Sequence, residues 1–162
     1  MTILDICTRL EESALGLAIT ESEWLFPTIE TLHVLALALV FGSIAMLDLR
    51  MLGVASRDRG VIQLAEDTLP WTWSAFVVAA ITGALMFVSA ATSYYDNVPF
   101  RIKLVLLALA GINMAVFHFS AWRAVHDWNL TLPTPRAARI AGSLSLAFWV
   151  GVVVAGRWIG FV

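Results

Sequence analysis

Four stretches of this chain contain no Asp, Glu, Lys or Arg: residues 31–47, 68–95, 104–122 and 140–156. A helix that crosses the hydrocarbon of a bilayer needs roughly 17–25 mostly apolar residues, and each stretch meets that need. Lipid offers no partner for a bare peptide group, so a spanning segment must satisfy its own backbone as a helix. Four such runs fill half of a 162-residue chain, which makes a set of buried soluble helices a poor reading. The composition agrees, with 60% hydrophobic and 14% charged residues, against about 25% charged in soluble domains. The predicted fold is all-α: an integral-membrane, antiparallel four-helix bundle with spans at about 28–50, 71–94, 100–123 and 137–160. These make up one domain over residues 26–162.

Proline and tryptophan punctuate the same pattern. Pro27, Pro70, Pro99, Pro133 and Pro135 are each expected just before a span, where a missing N–H costs nothing. Trp24, Trp71, Trp73, Trp122, Trp128 and Trp158 fall near span ends, as rings with one polar edge do at a membrane interface. Trp149 is the exception, in the middle of the fourth span.

Residues 1–25 read as a separate amphipathic helix on the outer interface. Ile3, Ile6, Cys7, Leu10, Ala14 and Leu17 recur at helical spacing, with Asp5, Glu11 and Glu12 elsewhere. The segment lacks a basic start and acids interrupt its apolar part, so it is not expected to be a signal peptide. The loops around residues 48–67 and 123–139 carry six arginines, and the opposite side carries Arg9, Arg101, Lys103 and Arg157. The positive-inside bias then places both termini outside, periplasmic in a bacterial inner membrane.

A formal net charge of −2 does not suit a nucleic-acid partner. Cys7, the single cysteine, excludes an internal disulfide and any multi-cysteine metal site. Rows of small residues permit close helix contact: Ser143, Ala147, Gly151 and Ala155 in the fourth span, Ala75, Ala79 and Gly83 in the second, Gly111 and Ala115 in the third, Ala38 and Gly42 in the first. They can bury within one bundle or form the seam of a homodimer.

The residues able to carry chemistry are few. His33 lies roughly 9 Å outward of the first span's midpoint, and Glu30 shares its face. His118 lies roughly 8 Å to the inner side of the third span. Imidazole is a strong axial ligand for haem, and Arg101, Lys103 and Arg157 in the outer layer suit its propionates. The two histidines differ in depth by roughly 17 Å, so they cannot grip one haem within a chain. Either each binds separately, or a two-fold dimer brings two copies of His33 to one depth. The Glu30–His33 pair lacks the second pair and further glutamates of a di-iron bundle, which leaves a weak zinc or copper site as its metal reading. Both histidines can equally do no more than hydrogen-bond a neighbour. His126 reads as a loop residue. Asp48 and Arg50, closing the first span, read as an interfacial ion pair or solvated cap, or else as an inner polar site with Trp122 and Arg123. No chain of carboxylates crosses the membrane and no span is broken by Gly and Pro, which disfavours a proton pump and a broken-helix transporter.

With "LHVLALALVFGSIAMLDLRMLG" and "VFHFSAW" in view, the whole chain resembles an uncharacterised family of small bacterial inner-membrane proteins, four-helix proteins with an early histidine in the first span and an Asp-x-Arg closing it. That resemblance implies membrane location and fold, and no activity. "LHVLALALVFG" also looks like the His-bearing first helices of copper-resistance D-type and b-type cytochrome membrane proteins, which implies a haem- or copper-facing role for His33 and, less directly, His118. The expected function is a haem-b-binding, electron-transferring or quinone-facing membrane subunit with a periplasmic redox partner. The alternatives are a non-redox channel, carrier or scaffold subunit, and a membrane enzyme using Glu30, His33 or a bound metal.

Overall fold

The structure, a computed structural model, describes residues 2–130 and 133–161. Among them every regular element is helical. Two short helices, α1 (Ile3–Glu11) and α2 (Ala14–Glu21), precede the first long one, α3 (Leu25–Met51). Then come α4 (Val61–Ser89), a single turn and a half in α5 (Ala91–Asp96), and α6 (Val98–Phe119). A 3-10 turn (Ala121–Ala124) and α7 (Val125–Trp128) lead to α8 (Arg136–Trp158). The segments Leu25–Met51, Val61–Ser89, Val98–Trp128 and Arg136–Phe161 are long and apolar enough to cross a membrane.

The N-terminal region departs from the single amphipathic helix expected of it. Ser13 accepts from Gly16 N–H at 3.1 Å and donates to Leu10 C=O at 2.6 Å. Its hydroxyl thus competes with the backbone ladder, ending α1 and capping α2. The turn needs glycine at position 16, because a Cβ there would lie 2.5 Å from the Glu11 carbonyl oxygen. Cys7 and Ile19 are buried, and the Glu11 carboxylate accepts from Thr92 N–H and Oγ1 at 2.9 and 2.8 Å. That carboxylate ties α1 to the first turn of α5, where a negative charge is favoured.

Pro70 also departs from expectation. It lies inside α4, which starts at Val61 and so shortens the expected long loop. The charged Glu66 and Asp67 interrupt the apolar run without ending the helix, whose first turns extend beyond the charge-free stretch at the end of the bundle away from the two termini, the inner end. The start of α4 is capped from elsewhere in the chain: Asn129 Oδ1 accepts from Ile62 N–H at 2.8 Å, and its C=O accepts from Val61 N–H at 3.2 Å.

Paired residues fix how the long helices pack. His33 meets Thr82 and Ser43 meets Thr72, so α3 and α4 are antiparallel. Gly156 faces Lys103, Gly151 faces Leu106, and Asn113 donates to Ala141 C=O at 2.9 Å, which makes α6 and α8 antiparallel. Gly142 packs on Asp48 and Met51, joining α8 to α3. The bundle therefore runs α4–α3–α8–α6 in space. The backbones of α4 and α6, successive in sequence, nowhere come within 8 Å (Cα to Cα). Only 6% of the α6 span is buried against 28% for each of the others, so α6 has the largest share of lipid-facing surface. The core consists of Val40, Ala75, Ala110, Trp149 and Val152, with a second cluster of Met51, Val61, Val125, Trp128 and Ala138 at the inner end.

Candidate functional site

Among the described residues, two of the cavities lie along the bundle, one toward each end. The outer one has a volume of about 780 Å³ and gathers residues from α3, α4, α6 and α8, among them Glu30, His33, Met86, Lys103 and Arg157. The half-buried His33 ring is held from both sides. Its Nδ1 lies 2.9 Å from Thr82 Oγ1. The Thr82 hydroxyl has one hydrogen and a carbonyl acceptor at 2.7 Å, Val78 C=O one turn back. The arrangement that satisfies all three groups has His33 Nδ1–H donating to Thr82. The Nε2 lone pair then faces the cavity, where Lys103 Nζ stands 3.5 Å away.

Glycine makes room for the imidazole: a Cβ on Gly83 would come within 3.1 Å of His33 Cε1, whereas one on Gly156 would make ordinary contact with Lys103 at 3.6–3.8 Å. Aromatic rings close the outer end: Phe87 stacks on Phe100 at 5.6 Å between centroids, and Tyr94 packs on Phe100 at 5.1 Å. Burial pushes the Tyr94 phenol above its usual range, and the Glu30 carboxylate pushes it the same way. The Arg157 guanidinium lies 4.7 Å over the Phe161 ring.

Of the residues singled out in the sequence, His33, Glu30, Lys103 and Arg157 come together here. Arg101 does not: it is exposed and donates to Asp96 C=O at 3.2 Å. His118 is exposed near the inner end of α6, with its ring stacked on Trp122 at 5.9 Å, and lines neither cavity. Among the described residues no three His, Cys, Asp or Glu side chains converge as a metal cluster.

The inner cavity, about 360 Å³, lies between α4 and α6 and is floored by α3 and α8. Its walls are apolar and aromatic, with Trp73, Phe76, Phe117 and Trp149, and its one ionisable lining residue is Asp48. Asp48 and Arg50 form neither the ion pair nor the solvated cap expected of them, since they are only 3% and 0% exposed. Two residues apart on a helix, they point to different faces. Arg50 turns toward the loops, where Nε donates to Arg59 C=O at 2.7 Å and Nη2 to Asn129 C=O at 3.3 Å. Thr134 Oγ1 donates to Met51 C=O beside it. Asp48 turns into the cavity, whose lining it shares with Ser145, and its Oδ2 has no partner. The i, i+2 spacing is the sequence signal that could have separated these roles.

A model of a family of unknown function (DUF6644) matches residues 11–162. No curated protein and no solved structure matches the chain.

Proposed function

The chain belongs to the DUF6644 family, and we propose that it is a haem-b-binding membrane subunit that passes electrons, with the outer cavity as its cofactor site. The observation that carries this reading is the His33 ring, fixed by Thr82 through Nδ1 so that Nε2 faces a cavity large enough for a flat macrocycle. An axial histidine needs this second hydrogen bond, which fixes its tautomer and orientation. The aromatic walls suit a planar group, and Lys103 and Arg157 supply positive charge for propionates. Bound haem would supply one-electron chemistry. His33 is the one imidazole this chain brings to the cavity, so the residues fit a single axial ligand rather than a histidine pair. A bacterial inner-membrane location with both termini periplasmic, and a periplasmic redox partner, belong to the same proposal. They rest on the Lys and Arg distribution.

The test is the visible spectrum of protein purified from cells supplied with haem. A Soret band that disappears in His33→Ala is the expected result, and no band in the parent protein ends the proposal. One observation favours a second reading. Lys103 Nζ lies within 3.5 Å of the nitrogen that an axial ligand must offer. A non-redox carrier, channel or scaffold would use that His33–Lys103 pair for a small anion or for packing alone. It would show no Soret band and would respond to Lys103→Met as strongly as to His33→Ala. A homodimer through the small-residue rows remains part of either reading, and a Cβ on Gly42 would meet nothing within 4 Å in this chain.

A further inference from the structure

We propose that the inner cavity is a binding site for a hydrophobic organic cation that enters from the lipid between α4 and α6, with Asp48 as its counter-charge. The inference is independent of whether the outer cavity holds haem.

The first support is an uncompensated acid. Asp48 is 97% buried, its Oδ2 has no partner, and no lysine, arginine or histidine lines the cavity. Arg50, the nearest basic residue along the helix, does not line the cavity: its Nε and Nη2 go to Arg59 and Asn129, and its buried Nη1 has no partner. A carboxyl group buried within a spanning helix is costly unless something pairs with it.

The second support is the state of the hydroxyl groups and the amide nearest to it. Ser43 Oγ donates to Leu39 C=O at 2.8 Å, Thr68 to Leu64 C=O at 2.8 Å and Asn113 Nδ2 to Ala141 C=O at 2.9 Å. Thr72 Oγ1 has both Ser43 Oγ and Thr68 C=O within 2.9 Å. These groups are held by the helix backbones and by each other, which leaves Asp48 Oδ2 as a buried acceptor for a guest.

The third support is the wall. Trp73, Phe76, Phe117 and Trp149 line the same space as the carboxyl group, and aromatic faces attract cations. The volume falls within the range of small-molecule sites, roughly 300–1,000 Å³. The α4–α6 separation supplies a route from the bilayer. Trp73 and Met114 on its two sides are about half exposed, at 51% and 49%.

The experiment is equilibrium dialysis of the full chain in nanodiscs against labelled tetraphenylphosphonium, with tetraphenylborate as the anion of the same shape. Saturable binding of the phosphonium and none of the borate is expected. Asp48→Asn should weaken phosphonium binding by about tenfold or more, the loss of a charge-assisted contact. Should Asp48→Asn not fold, Trp73→Leu, at a half-exposed wall position, should weaken binding by about fivefold. Equal uptake of borate and phosphonium overturns the proposal, as does undiminished phosphonium binding in folded Asp48→Asn. So does preferential binding of a neutral alkyl hydroquinone, which would show that hydrogen-bond donation rather than charge is what the cavity selects.

Discussion

The two ends of the bundle handle buried polarity in opposite ways. At the outer end, His33, Lys103 and Arg157 face one shared space, and glycine at 83 makes room for the imidazole. At the inner end, Asp48 and Arg50 lie two residues apart on one helix and serve different tasks, one facing a cavity and the other binding loops. The outer arrangement sets two basic side chains and Glu30 around an imidazole. The inner one isolates a carboxyl group among aromatic rings. The difference shows that a polar residue near a membrane surface is not explained by its depth alone. The helix face on which it lies decides whether it holds the fold or addresses a ligand.

The comparison breaks most readily at Arg50. Arg50→Leu removes two charge-assisted hydrogen bonds and deprives the connection before α4 and the Asn129 segment of this side-chain tie to α3. It should cost roughly 3 kcal/mol of stability, at about 1.5 kcal/mol or more for each such bond. Unfolding in mixed detergent micelles checks this, and Arg50→Lys should recover little, because one ammonium cannot imitate two fixed guanidinium donors. A loss below about 0.5 kcal/mol would mean that the inner end does not depend on this clamp. The outer end offers a smaller effect that sharpens the contrast. Gly83→Val places bulk against a ring that lies 3.1 Å from the added Cβ. It should cost about 2 kcal/mol through overpacking and should abolish any ligand signal that depends on His33. Cation binding at the inner cavity should survive in the same variant. If both signals fall together, the two cavities are coupled and the division drawn here fails.

The spanning helices were legible because the absence of charge over residues 31–47, 104–122 and 140–156 reports directly on the solvent. The length of α4 was not. Its first ten residues carry Glu66 and Asp67 and end on Pro70, signals that ordinarily mark a loop. The cap that makes a helix of them comes from Asn129, some 67 residues away in sequence, and a local pattern cannot show that. The outer candidates were legible in part. His33, Glu30, Lys103 and Arg157 share a layer that counting along helices could place, whereas the outward turn of Arg101 and His118 depends on which face each helix buries. The inner cavity was missed for a related reason. It exists because α4 and α6 stand apart while α3 and α8 lie between them, and the order in which helices lie side by side is not written in their hydropathy.

The separation of α4 from α6 sets where any guest of the inner cavity is drawn from. Its reservoir is the surrounding acyl phase, so occupancy follows the mole fraction of the compound among lipids rather than its molarity in buffer. Adding empty vesicles to a loaded sample should strip the protein, while diluting protein and lipid together with buffer should leave a strongly partitioning compound in place.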